Sequence, residues 1–205
     1  MCFSMTFEYY SSNSKPSGVS YGKWTVLWWK WALSSPSNRN PVVDQSGEFA
    51  SENQPKNMWF LTGMFTEEDE KKRFPSRKCT VPLGIPILIP VLNSLADPLE
   101  NLHLKTDQDI LEHIEKQANT ITKRIFTING ESISPQRVRS DPRIFDVYIH
   151  PDFDKSHKGG YTRAASDGYW VCLKPLPQGE YDIQFEGSCE YGRLNSGAKY
   201  HIEIV

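Results

Sequence analysis

The chain is short of several things, and each shortage closes a door. Four cysteines stand among 205 residues (Cys2, Cys79, Cys172 and Cys189), and the nearest two are seventeen positions apart. There is therefore no CxxC redox pair or zinc knuckle, and the chain is not a disulfide scaffold. The cysteines read as buried free thiols, with a Cys172–Cys189 bridge left open. Net charge is only -2 and the sequence pI is near 6.2. A general nucleic-acid binder would show a basic excess, so none is expected as a partner. No apolar run approaches the ~20 residues of a membrane helix, and mean hydropathy is -0.53. A membrane partner is not expected either. The opening residues have neither a basic region nor a long apolar stretch, so no signal peptide is read there. GxGxxG, Walker, HExxH and GxSxG motifs are all missing, as is any internal repeat.

Aromatic side chains are abundant: six Trp, nine Tyr and ten Phe. Residues 1–20, with Ser, Asn, Pro and Gly in their second half, read as an extended arm, and 21–205 as one domain. Ser20 is placed to cap a helix over YGKWTVLWWKWALSS. Trp24, Leu27, Trp28 and Trp31 recur at i, i+3, i+4 and i+7, the inward stripe of such a helix. Val26, Trp29 and Leu33 add apolar surface elsewhere, so the helix is expected to be covered on most sides until Pro36 ends it. Residues 34–57 are a polar excursion of a length often tied to function.

A second helix is expected over 106–121, capped by Thr106, with acids in its first turn and Leu111, Ile114, Ala118 and Ile121 inward. Most other segments read as strands. MWFLTGMF is aromatic and apolar. IPILIPVLN carries Pro86 and Pro90, which belong at an edge or between sheets. Asn129-Gly130 marks a hairpin. Residues 143–149 set Ile144, Asp146 and Tyr148 against Phe145, Val147 and Ile149. EEDEKKR reads as a solvated turn. The closing strands GYWVCLKPL, EYDIQFEG and KYHIEIV complete a mainly β chain with two helices. The expected architecture is an antiparallel β-sandwich, jelly-roll-like, with a Trp-rich N-terminal helix.

Two stretches are familiar in kind: YGKWTVLWWKWALS followed by RKCTVPLGIPILIPVLN, and ASDGYWVCLKPLPQGEYDIQFEG with the terminal KYHIEIV. Together they resemble a group of Trp-rich, β-sandwich-like microbial proteins, many of which look secreted. That resemblance spans most of 21–205. It implies a fold and no particular chemistry, and it leaves the compartment open.

Candidate chemistry is sparse. His150, Asp152, Asp154 and His157 place two imidazoles and two carboxylates within eight residues. If the loop folded back they would suit a divalent first-row metal, and an open position would activate water. A mobile polar loop tip hinged at Gly159-Gly160 explains the same residues. Asp167, in an Asp-Gly turn signal, either bonds its own backbone or orients a histidine such as His150. Exposed aromatics on a sandwich can stack on sugar rings. Trp29, which leaves the helix stripe, and Tyr169 are the candidates for ligand binding. His103, His113 and His201 read as solvated side chains. Arg137, Arg139 and Arg143 read as a surface salt-bridge group near Asp141.

Three functions fit these residues. The first is a non-catalytic binding module for a carbohydrate or other small ligand. The second is a hydrolase or lyase built on His150, Asp154, His157 and Asp167. The third is a homo-oligomeric structural protein pairing through its arm and proline-bearing strand.

Overall fold

The Trp stripe and the alternating strands build three layers. A computed structural model describes residues 6–67, 74–153, 159–191 and 194–205. Helix α1 (Tyr21–Leu33) lies on one sheet, and that sheet packs on a second. The first sheet has the order β1 (Trp59–Phe60), β4 (Ile87–Ala96), β9 (Gly160–Leu173) and β7 (Gln136–Arg139). Strand β8 (Phe145–Ile149) continues the β7 edge farther along β9. The second sheet runs β2 (Met64–Glu67), β11 (Leu194–Ile204), β10 (Gly179–Cys189), β5 (Ile121–Ile128) and β6 (Glu131–Ser132). Strand β3 (Ser76–Val81) takes over from β2 along β11.

The protein is thus mainly β with two helices and a sandwich-like pair of sheets, as the patterning predicts. Most pairs are antiparallel, but β1 runs parallel to β4 and β3 parallel to β11. Strand β1 follows the irregular 34–57 connection, and β3 leads through 82–86 into β4. Nothing in an alternating pattern distinguishes one strand direction from the other.

Period-2 alternation along β4 and β9 divides the core. Ile87, Ile89, Val171 and Leu173 face the second sheet, whereas Leu88, Trp170 and Cys172 face α1. Pro86 precedes β4 and Pro90 lies within it, on the flank that the proline reading places at an edge: β1 pairs only with Ile87 and Leu88, and no other described strand pairs with β4 on that side. Pro90 also sits where the register with β9 slips at a bulge. Asp167-Gly168 is likewise not a turn but the middle of β9. Gly168 is required by close approach, because a Cβ there would lie 2.5 Å from the Asn93 Cα.

The Ser20 hydroxyl accepts from the Lys23 amide and caps α1. The helix is buried on nearly every side, Trp24, Val26, Trp28 and Leu33 included. Indole N–H groups of Trp24, Trp28 and Trp31 donate to the carbonyls of Pro16, Leu61 and Glu52, so the helix is stitched to three separate segments. Helix α2 (Asp107–Asn119) carries a Thr106–Asp109 capping box and buries Ile110, Ile114 and Ala118 against β4 and β9. Its end comes two residues sooner than expected, and Ile121 begins β5.

The arm extends the first sheet. Tyr9 bridges Leu173, and the Tyr10 and Lys174 amides donate across the junction to the Cys172 and Glu8 carbonyls. Cys79, Cys172 and Cys189 are free thiols, which removes the Cys172–Cys189 bridge. Burial pushes the Cys79 thiol up to about 12.

The 34–57 excursion is a wrap. Asn40 donates to the Ala32 and Ser35 carbonyls behind α1. Arg77, 1% exposed, donates to the carbonyls of Val42, Asp44 and Thr62 and to the Tyr200 hydroxyl. Burial alone would raise the Asp44 carboxyl. The Ser46 and Phe49 amides, the Ser46 hydroxyl and the Arg77 cation outweigh it and hold Asp44 below its ordinary 3.8. A depressed folded-state pKa stabilises above the unfolded value and is lost as pH falls through the folded one. Stability from Asp44 should therefore be present at neutral pH and decline from about pH 5 downward. Urea midpoints measured against pH should fall less steeply in acid for Asp44→Asn than for wild type. Parallel curves would contradict this.

Candidate functional site

The residues singled out from sequence do not converge on one site. Asp154 and His157 lie outside the described residues. Among the described residues, no three His, Cys, Asp or Glu side chains form a metal-holding group. His150 follows β8, with its amide tied to the Leu33 carbonyl. Its Nδ1 accepts from the Asp152 amide at 3.0 Å, which orders the turn and occupies that nitrogen. Trp29 does not reach the surface. It is 7% exposed and packs edge-on to Trp28, with centroids 5.0 Å apart and planes at 87°. The helix face that Trp29 shares with Gly22 and Leu33 lies on the β7–β8 side, where Gly22 meets Arg139 and Asp141 and the Leu33 carbonyl accepts from the His150 amide. Tyr169 is half-buried at the end of the sandwich beneath the Arg124 guanidinium, 4.4 Å from its ring centre.

Asp167 orients arginines rather than a histidine. It is 0% exposed. Its Oδ1 accepts from Arg137 Nε at 2.9 Å and its Oδ2 from Arg137 Nη2 at 2.7 Å and Arg139 Nε at 3.2 Å. Asn119 and Glu115 of α2 take the outer ends of the two guanidinium groups. The Asp167 partner chiefly, through its hydrogen bond, raises the Arg137 pKa further. This network ties edge strand β7 to β9 and α2. The surface arginine group read from sequence is therefore partly an interior clamp.

Among the surfaces open to a ligand, two differ sharply in character. One is a polar cleft of about 480 Å³ between the arm, the start of α1 and the β7 edge, lined by Ser12, Ser14, Lys15, Ser20, Tyr21 and Asp141. Its polar groups already serve the fold, since Ser20 donates to Asp141 at 2.7 Å and also caps α1. Tyr21, the cleft's aromatic, is itself buried.

The other surface is the outer face of the β8–β9 hairpin. Strand alternation turns Phe145, Val147 and Ile149 toward α1 and leaves Asp146 and Tyr148 outward. Register places Tyr148 opposite Tyr161 and Asp146 opposite Arg163. The two tyrosine rings lie 4.9 Å apart at 49°. Tyr161 is 84% exposed and Tyr148 36%. The His150 ring stands edge-on to Tyr148 at 6.5 Å. An aromatic shelf rimmed by a carboxylate, a guanidinium and an imidazole is the result. Neither tyrosine was singled out from sequence. Tyr148 carried a signal, an aromatic on the polar face of an alternating strand; Tyr161 needed the strand register.

Comparison with protein-family models, with curated proteins and with solved structures finds no match for this chain. Among the described residues no helix is long and apolar enough to cross a membrane.

Proposed function

We propose that the protein is a non-catalytic binding module whose ligand is a carbohydrate, held on the Tyr148–Tyr161 shelf. The observation that carries this reading is the exposure of these two paired rings in a chain whose six tryptophans are all buried. Fixed aromatic surface in water has an unfavourable hydration that a stacked apolar sugar face relieves. Asp146, Arg163 and His150 stand at the rim, where ring hydroxyls would need donors and acceptors. Arg163 is braced by Asp107 and the Lys105 carbonyl, so its position is fixed before any ligand arrives.

The test is calorimetric titration with a panel of soluble glycans against wild type and Tyr161→Ala. Loss of the exposed ring should cost about 1.5 kcal/mol, roughly tenfold in affinity, with an unchanged melting temperature. Wild type that binds no glycan, or a variant that binds as tightly as wild type, would overturn the proposal. Tryptophan emission is a poor reporter here, because the indoles sit in the core.

A further inference from the structure

Away from the hairpin, the structure joins two histidines that sequence left apart. His103 lies in the turn preceding α2, and His113 is on the second turn of that helix. Their rings are 5.4 Å apart at 56°, and Tyr191 also meets His113, at 5.5 Å and 87°. Tyr191 is itself anchored, its amide donating to the Thr120 hydroxyl. His113 thus contacts two rings, and its partner imidazole is open to solvent.

We propose that His103 and His113 form a two-imidazole site for a borderline divalent cation of the Zn2+, Ni2+ or Cu2+ class. Imidazole suits these ions, and nitrogens about 2.0–2.1 Å from a shared Zn2+ require rings in near contact. Burial, then the charges of His103 and Lys116, lowers the His113 pKa, which keeps its ring neutral and able to ligate at neutral pH. Asp109 lies close enough to His103 for their charges to interact. Its Oδ2 accepts from the Lys105 and Thr106 amides at the helix cap, which positions the turn that carries His103. Water fills the remaining coordination positions. The bound ion would clasp the 98–105 turn to α2.

The experiment uses full-length protein stripped with a chelator, titrated with Zn2+ by calorimetry and with Cu2+ by electron paramagnetic resonance. One ion per chain is expected, with two equatorial imidazole nitrogens in the Cu2+ spectrum and one in His103→Ala. Loss of an outer-shell partner already costs 10–100-fold in metal affinity. Removing either ligand should therefore weaken binding at least tenfold, while the metal-free melting temperature of the exposed His103→Ala variant stays that of wild type. His113→Asn, which keeps a similar size, replaces His113→Ala if the latter perturbs α2. No binding by wild type at millimolar ion overturns the site. So does binding that survives the double variant and disappears in His150→Ala, which would assign the ion to the hairpin loop instead.

Discussion

Replacing Asp167 by alanine is expected to lower the unfolding free energy by about 3–5 kcal/mol, since removing one partner of a buried ion pair leaves the other uncompensated. The carboxylate has no contact with water, and its two oxygens hold three N–H groups of Arg137 and Arg139. Without it the two guanidinium groups keep only Asn119 and Glu115 as side-chain partners. Both are partly exposed, at 27% and 44% of their side chains, and can rehydrate in part, so the lower end of the range is expected. Urea denaturation at neutral pH measures the loss directly. A double-mutant cycle with Arg137→Ala should show strong coupling, because each single change already breaks the pair. A loss under 1 kcal/mol would mean that the network is incidental. A catalytic carboxylate behaves differently: its removal abolishes turnover and leaves stability nearly untouched.

Arg77→Met should cost a similar amount, about 3–5 kcal/mol. Methionine fills much of the space but returns none of the four hydrogen bonds. The Val42 and Thr62 carbonyls belong to buried residues, and each buried polar group left unpaired costs about 1–3 kcal/mol. The Tyr200 hydroxyl keeps its own bond to Thr62 at 2.8 Å, which moderates the damage there. The effect should be local as well as global. Amides near Val42 to Ser46 should exchange with solvent far faster than in wild type, because Arg77 is the cation that fastens this wrap to β3 and β11. Unchanged exchange in that segment would show that the Asn40 and Gln54 contacts suffice without it.

What the residues disclosed in advance was local. The i, i+4, i+7 tryptophans, the Thr106 cap and the alternation of 145–149 are written in neighbouring positions, and the structure follows them. Pairing across the chain was not legible. Asp167 lies 28 to 30 positions from its arginines, and an Asp-Gly dipeptide usually marks a turn. Only the β7–β9 register brings them together. Arg77 sits among exposed neighbours in an ordinary alternating strand, and nothing in SRKCTV marks a cation as interior. Trp29 misled for the opposite reason. A helical wheel shows one apolar stripe, but not that strands β7 and β8 meet the helix on another side.

The same logic explains why the candidate site moved. Ring exposure depends on where strands end and helices lie, and the β8–β9 hairpin projects past the last β4–β9 pair at Ala96 and Ala165. Tyr148 and Tyr161 therefore stand on a ledge that the second sheet does not cover. A stacking surface needs that combination of firm backbone and open face.

The most direct measurement is nuclear magnetic resonance of protein labelled at its tyrosine rings and tryptophan indoles, titrated with the glycan panel. The account predicts concentration-dependent shifts at Tyr148 and Tyr161 with the six buried indoles unmoved. No shift with any glycan, or shifts confined to residues away from the hairpin, would contradict it.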